Sequence, residues 1–287
     1  MQEGRASLTA EVVAFMRATE RVRPEADRVL DDPYATWFLG PVSNTRLAAM
    51  RFVARKSRAP LLLPLLTTYI VARHRYLDDL VKQALADGAE QLLVLGAGYD
   101  MRAWRFAAEL AGRPVFEVDH PATAGRKASI VDKHAAERPA GLDLRRVTID
   151  FATERLADRL AACGFVAGKK TVVTWEGVSM YLPRAAVKDT LRTLAELVGP
   201  GSTLGMDFWV STDSPTLRGT FHRVSGAFLW ALGEPVTFGV HPEDCAGLLA
   251  REGWTLTDTA THDVLEQRYI ADGRRVYPYN FVVTATR

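Results

Sequence analysis

The sequence predicts a Rossmann-like α/β fold behind a helical N-terminal cap, and three observations predict it. From Gln91 to Arg287 short β-rich runs alternate with helical patterns, the sequence form of a doubly wound sheet. The first run, Leu92-Leu93-Val94-Leu95, enters Gly96-Ala97-Gly98, and the second, Val115-Phe116-Glu117-Val118, closes on Asp119. Together these describe a pocket for a ribose-bearing cofactor. The glycines let backbone approach a ligand where a Cβ would collide, and the acid accepts ribose hydroxyls.

Seven strands are predicted, at 91–95, 115–119, 145–149, 171–176, 203–208, 255–262 and 281–285. The helices between them carry boundary signals. Thr153-Glu154 opens one over 155–163, which Gly164 closes; Pro183 starts 184–198, which Gly199-Pro200-Gly201 ends. His241-Pro242-Glu243-Asp244 begins another that runs to about Gly253. Residues 1–85 read as helices without a strand, a cap or lid, with a helix start at Asp32-Pro33 where aspartate caps and proline takes the first helical position. The domain proper covers 86–287. Within it, 209–240 forms an insert after the fifth strand that carries Trp209, Phe221, Phe228, Trp230 and Phe238, and a connection of that length is usually functional.

Composition narrows the partners. The chain of 287 residues is 48% hydrophobic, enough to bury a sizeable core, and its 36 basic and 34 acidic residues leave a formal charge of +2. Without a long basic block, nucleic acid is not an expected partner. Cys163 and Cys245 are far apart and lack CxxC or histidine spacing, so neither a disulfide framework nor a metal site is expected and a reducing cytoplasm is favoured. The greasiest run, 59–72, is interrupted by Pro64 and falls short of the ~20 residues of a membrane span. Neither an export signal nor a membrane segment is predicted.

Each motif has a functional and a plain structural meaning. Gly96-Ala97-Gly98 serves a tight strand-to-helix turn as well as a cofactor. A dinucleotide fingerprint would place a third glycine at 101, where this chain has Met101, so cofactors carrying adenosine without a pyrophosphate fit better. Asp119 hydrogen-bonds ribose or caps a helix before Pro121. Asp150 reaches the exocyclic amine of adenine with Phe151 packing on the ring, or caps the next helix. Glu176 ends the fourth strand, where an unpaired carboxylate is costly and wants a ligand or a cation.

Leu95-Gly96-Ala97-Gly98-Tyr99-Asp100-Met101-Arg102, Phe116-Glu117-Val118-Asp119-His120-Pro121 and Glu176-Gly177-Val178-Ser179-Met180-Tyr181-Leu182 resemble the leucine carboxyl methyltransferase family. Within it the chain is most similar to the bacterial branch that includes polyketide O-methyltransferases of the tetracenomycin type. The run from Leu8-Thr9-Ala10 to Arg17-Ala18 and Asp32-Pro33-Tyr34-Ala35 also fit, so the resemblance spans nearly the whole chain. It implies a class I methyltransferase fold with a seven-stranded, mostly parallel sheet, and S-adenosylmethionine as methyl donor. It places the Gly96-Ala97-Gly98 loop along the methionine moiety, Asp119 on the ribose, Asp150 and Phe151 at the adenine and Glu176 beside the methionyl amino group. Arg73, in Val71-Ala72-Arg73-His74, resembles the family arginine that pairs with the donor carboxylate, a task suited to a planar guanidinium. Arg17 is a second cationic candidate. One departure stands out: the bacterial branch shows Asp-Leu-Arg where this chain has Asp150-Phe151-Ala152.

Methyl transfer from a sulfonium is an in-line displacement that needs nucleophile and methyl held near ~3 Å with water excluded. A carboxylate nucleophile is ionised at neutral pH, whereas a phenol with pKa ~10 benefits from a general base. The resemblance puts a carboxylate of a small-molecule acceptor first. For a hydroxyl acceptor the candidate catalytic groups are His120, His222, His241 and Tyr181, although His120-Pro121 and His241-Pro242 also read as turn or cap residues. Tyr69 and Arg75 on the cap, with Trp209, Phe221 and Trp230 of the insert, are candidates for the acceptor pocket. An NAD-dependent oxidoreductase and a non-catalytic cofactor-binding paralogue are the rival classes, and methylation of a protein carboxyl is a further one. The oligomeric state is not legible.

Overall fold

In the computed structural model, which describes residues 8–54, 64–151, 153–211 and 236–287, seven strands form one sheet. They are β1 (Gln91–Leu95), β2 (Val115–Asp119), β3 (Leu144–Thr148), β4 (Thr171–Trp175), β5 (Thr203–Trp209), β6 (Thr255–Ala260) and β7 (Asn280–Thr286), in the spatial order β3-β2-β1-β4-β5-β7-β6. β1 to β5 run parallel, and β7 pairs antiparallel with both β5 and β6.

Period-2 side-chain alternation splits the core into two layers. Leu93 and Leu95 of β1 pack with α7 (Leu156–Ala162), α8 (Arg184–Leu197) and α9 (Pro242–Arg251). Leu92 and Val94 face the other layer, made by α1 (Leu8–Glu20), α3 (Pro64–Ala86), α4 (Arg102–Arg105) and α5 (Ala107–Leu110). All five residues of β1 are buried because both faces are covered, which is why Leu92–Leu95 read as an unbroken apolar run, while the buried Gln91 side chain bonds Val166 and Thr171. Also present are α2 (Pro41–Ala54), α6 (Pro121–Val131) and α10 (His262–Tyr269).

Three local expectations need correction. Residues Asp32-Pro33 do not open an α-helix: Asp32 Oδ1 accepts the Tyr34 N–H at 3.1 Å, closing a turn, and a single 3-10 turn, Ala35–Phe38, follows. The other Asp32 oxygen faces Arg17 Nε at 3.5 Å, so a buried ion pair rather than helix capping decides this aspartate's position. The sixth strand stops at Ala260 because Thr261 is the N-cap of α10 and its hydroxyl bonds to Asp263; His262, placed at the strand end by sequence, is the first helical residue. The third strand begins one residue earlier than predicted, at Leu144.

The chain leaves β1 for β2 and β3 on one side and returns to β4 on the other, so the order reverses between β1 and β4. In such sheets the crevice beyond the carboxyl ends of the two strands is where ligands bind. Over this region lies α3. From Thr67 to Asp78 every one of its residues except Arg75 is buried, including the polar Arg73, His74 and Asp78, which therefore require partners. Among the described residues no helix is long and apolar enough to cross a membrane. The predicted Phe221, His222, Phe228 and Trp230 lie outside the described residues, and so does Ala152.

Candidate functional site

The glycine loop leaves β1 with Gly96 at φ +63° and Gly98 at φ +46°, a region of backbone space that side chains disfavour. Between them the buried Ala97 donates its N–H to Val118 O at 3.0 Å, carrying β1–β2 pairing into the loop. At Gly96 a side chain is excluded twice: an added Cβ would stand 2.2 Å from Val178 Cγ2 on the loop after β4. Asp119, at the end of β2, accepts Gly98 N–H on Oδ2 and His120 N–H on Oδ1. Each carboxylate oxygen keeps a lone pair for a second donor. Burial raises the Asp119 pKa, and the two backbone N–H groups oppose that rise. The cap before Pro121 is His120, whose Nδ1 accepts Ala122 N–H at 3.2 Å, so Asp119 is left to the loop.

Across the crevice, Glu176 follows β4. Its Oε1 accepts Arg73 Nε at 2.9 Å, and its Oε2 stands 2.8 Å from Arg102 Nη2 and 3.0 Å from His74 Nδ1. Burial disfavours the carboxylate, yet His74, Arg102 and Arg73 hold it well below the usual carboxylate range. Arg73 also donates Nη1 to Asp207 Oδ2 at 2.7 Å. Asp207, fully buried in β5, accepts Gly177 N–H on Oδ1 at 2.6 Å, and the Tyr69 hydroxyl lies 3.3 Å from Oδ2. One buried carboxylate thus fixes both the loop after β4 and the guanidinium of α3.

Below this sits a second tier. Asp78 accepts Arg102 Nε at 2.7 Å and both Nη1 and Nη2 of Arg105, at 2.6 and 2.8 Å. Asp100 accepts the Arg102 backbone N–H at 2.7 Å and its Nη1. Burial first and the Arg102 charge second push His74 below the ordinary histidine value, so the ring is neutral at pH 7. Donor matching then sets its tautomer: Nδ1–H faces Glu176, and Nε2 accepts Arg105 Nη2 at 3.0 Å. Beside β2 a buried pair, Lys127 with Glu117 at 2.8 Å, carries the lysine to the Asp100 carbonyl.

One group among the described residues has the makings of a metal site: donor atoms of His74, Asp100 and Glu176 lie within 4.8 Å of one another. The Arg102 guanidinium stands among these groups, with hydrogen bonds to Asp100 and Asp78 and its Nη2 2.9 Å from His74 Nδ1.

Of the residues singled out by sequence, Arg73, Gly96, Ala97, Gly98, Asp119 and Glu176 come together around the crevice. Asp150 and Phe151 follow β3 at its edge. Phe151 is 50% exposed, and the helix after Asp150 is capped by Arg155 rather than by Asp150. Arg17 is buried, donating to Tyr99 O at 2.6 Å and approaching His74 Nε2 at 3.4 Å. Tyr69 is buried against Asp207, while Arg75 is exposed and bonds Asp79 at 2.9 Å. Tyr181 lies in the short turn after β4, Trp209 ends β5, and His241 precedes α9 without a side-chain capping bond. Sequence reasoning assigned no role to His74, Asp78, Arg102, Arg105 or Asp207. A signal for Asp207 existed, an acid inside the apolar strand Met206-Asp207-Phe208.

The leucine carboxyl methyltransferase profile matches residues 10–195. A protein of Rhodococcus jostii (strain RHA1), assigned by name to the S-adenosyl-L-methionine-dependent methyltransferases, is 36% identical over 203 residues, covering 70% of this chain and 65% of that protein. One of the same designation from Streptomyces coelicolor is 31% identical over 275 residues, covering 93% and 87%. Among solved structures, a DUF574 family protein of Streptomyces avermitilis superposes with a TM-score of 0.60 at 15% identity, covering 98% of both chains. The magnesium protoporphyrin IX methyltransferase of Synechocystis PCC 6803, solved with bound SAH, gives 0.50 at 17% identity, covering 84% of this chain and 94% of that one. At these identities the structural likeness is one of fold, the Rossmann-like type of class I methyltransferases. By the extent of the profile match and the identity to its relatives, the chain belongs to the leucine carboxyl methyltransferase family.

Proposed function

We propose that this protein is an S-adenosylmethionine-dependent O-methyltransferase acting on a carboxylate of a small-molecule acceptor, in secondary metabolism and in the cytoplasm. The family makes it a methyltransferase using S-adenosylmethionine, and the donor set fits that molecule. A carboxylate for the ribose (Asp119), a glycine loop without Cβ atoms, and an arginine and a glutamate for the zwitterionic amino-acid end (Arg73, Glu176) converge on the β1–β4 crevice. The observation that carries the proposal is the pairing of Arg73 with Glu176 at 2.9 Å beside that loop, because such a pair offers one charge of each sign to a ligand that carries both. Arg73 Nη2 has no hydrogen bond among the described residues.

Charge balance favours the same ligand. Three guanidiniums (Arg73, Arg102, Arg105) meet four carboxyl groups (Asp78, Asp100, Glu176, Asp207), an acidic excess suited to a net cation such as a sulfonium amino acid. Met101, where a dinucleotide fingerprint has its third glycine, is fully buried, which disfavours a nicotinamide cofactor. When bound, the donor supplies an electrophilic methyl on sulfur. The protein's part is to hold the donor's ends, exclude water and align the acceptor. His120 is occupied as a helix cap and His74 is locked between Glu176 and Arg105, so a nucleophile already ionised at neutral pH suits the site. The segments 8–54 and 64–86 act as the cap, and Trp209 at the end of β5 lines the acceptor pocket; the insert aromatics Phe221 and Trp230 lie outside the described residues. Incubation with labelled S-adenosylmethionine and a panel of carboxylic acids and phenols should yield a methyl ester. Label on a phenol, on a protein carboxyl or on no acceptor would redirect the assignment.

A further inference from the structure

Arg102 is fully buried, and its guanidinium reaches three elements. Nε bonds Asp78 Oδ1 of α3 at 2.7 Å, and Nη1 bonds Asp100 Oδ2 of the glycine loop. Nη2 lies 2.8 Å from Glu176 Oε2 after β4 and donates to the His74 carbonyl at 3.1 Å. Every nitrogen of the fork is used, a geometry that lysine, with a single compact ammonium, cannot copy. The donor atoms of His74, Asp100 and Glu176 meanwhile lie within 4.8 Å of one another, the nitrogen and oxygen mixture that takes up a divalent transition ion.

We infer that Arg102 is a built-in cation that takes the place of a metal ion: it draws the glycine loop, α3 and the β4 end together and positions Glu176 for the methyl donor's amino group. The positioning half rests on the methyl-donor assignment above, whereas the built-in-cation half does not. Glu176 faces three donors in this arrangement, Arg73 on Oε1, Arg102 on Oε2 and His74 Nδ1–H between them. Arg73 and His74 share α3 and arrive from one helix. Arg102 opens α4 directly after the glycine loop, so of the three charged or imidazole partners of Glu176 among the described residues it is the one that ties the loop carrying Gly96 and Gly98 to the glutamate.

Two titrations of the full-length chain test this, zinc alone and S-adenosylmethionine alone, each into wild type, Arg102→Ala and Arg102→Ala/His74→Gln. Removing the guanidinium leaves the three ligand groups converged without a cation. Folded Arg102→Ala should therefore bind one more zinc equivalent than wild type, at micromolar Kd, and the double variant should lose it. No additional equivalent in a folded Arg102→Ala protein overturns the built-in-cation claim. Arg102→Lys, which keeps one charge but not the fork, should raise the KM for the methyl donor at least tenfold while kcat falls less than threefold; an unchanged KM overturns the positioning claim. Should Arg102→Ala fail to fold, Asp100→Asn replaces it, because it cuts the Nη1 anchor while removing a buried charge. Its donor KM should rise about tenfold, and an unchanged value would overturn the inference. Wild type that binds no S-adenosylmethionine would count against the donor assignment, and the zinc comparison would still decide the role of Arg102.

Discussion

Arg73 and Asp207, 134 positions apart in sequence, form a buried ion pair at 2.7 Å that locks α3 to the fifth strand beside the crevice. Asp207 also takes the Gly177 N–H, so the same carboxylate sets the loop from which Glu176 projects.

Asp207→Asn should accordingly cost about 3 kcal/mol of stability, since it removes one of the two carboxylates that neutralise the buried Arg73 and leaves Glu176 alone to do so. Its amide nitrogen would also confront the Arg73 or Tyr69 donors. Tyr69→Phe should cost only about 1 kcal/mol, because the ring stays packed and one 3.3 Å hydrogen bond is lost. Urea unfolding of the two variants measures both, and equal losses would show that Asp207 is not the hub.

The folded pKa of His74 is lowered, by burial first and Arg102 second. An unfolded histidine takes its proton near ~6.5, whereas the folded one resists to lower pH. The stability gained by keeping the ring neutral is whole above about pH 6.5 and is lost as the pH falls through that value, at up to ~1.4 kcal/mol per pH unit. Glu176 and Asp78, with lowered carboxyl pKa values, are stabilising above about pH 4 and begin to lose that contribution only below it. Thermal melts from pH 7.5 to 5 should therefore fall in wild type and flatten in His74→Gln. Parallel slopes would contradict the neutral ring.

Glu20, fully buried on α1, receives Arg274 Nη1 and Nη2 at 2.9 Å each and the Val29 N–H at 2.9 Å. This clasp fastens the helix that carries Arg17 to the segment before β7. Arg274→Ala should cost about 2 kcal/mol, since the buried Glu20 would keep only Arg23 Nε, 3.4 Å from Oε2, and the Val29 N–H, and Arg274→Lys should recover only part, lacking the fork. Chemical denaturation checks both, and a loss below about 1 kcal/mol in Arg274→Ala would show that the clasp is dispensable.

The sheet was legible because its signals are local. Alternation, turn glycines and proline starts define β1 and β2 to the residue and β4 and β5 to within one, and His120-Pro121 announces its cap. Half of the crevice was legible too: Gly96, Gly98, Asp119 and Glu176 sit at strand ends, where topology puts ligands. The ion network was not. His74, Asp78, Arg102 and Arg105 are brought together by the packing of α3 against the glycine loop, and no spacing in the chain records which charges share a buried site. Asp32 was misjudged for the same reason, since a distant arginine outweighed its local capping preference.

The central claim, that the Arg73–Glu176 pair and Asp119 form a methyl-donor cradle, is tested most directly by calorimetric titration of S-adenosylmethionine into wild type, Arg73→Ala and Asp119→Ala, with folding verified by circular dichroism. Saturable binding to wild type that weakens at least tenfold in each folded variant is the predicted result. No heat with wild type, or undiminished affinity in both variants, would contradict it.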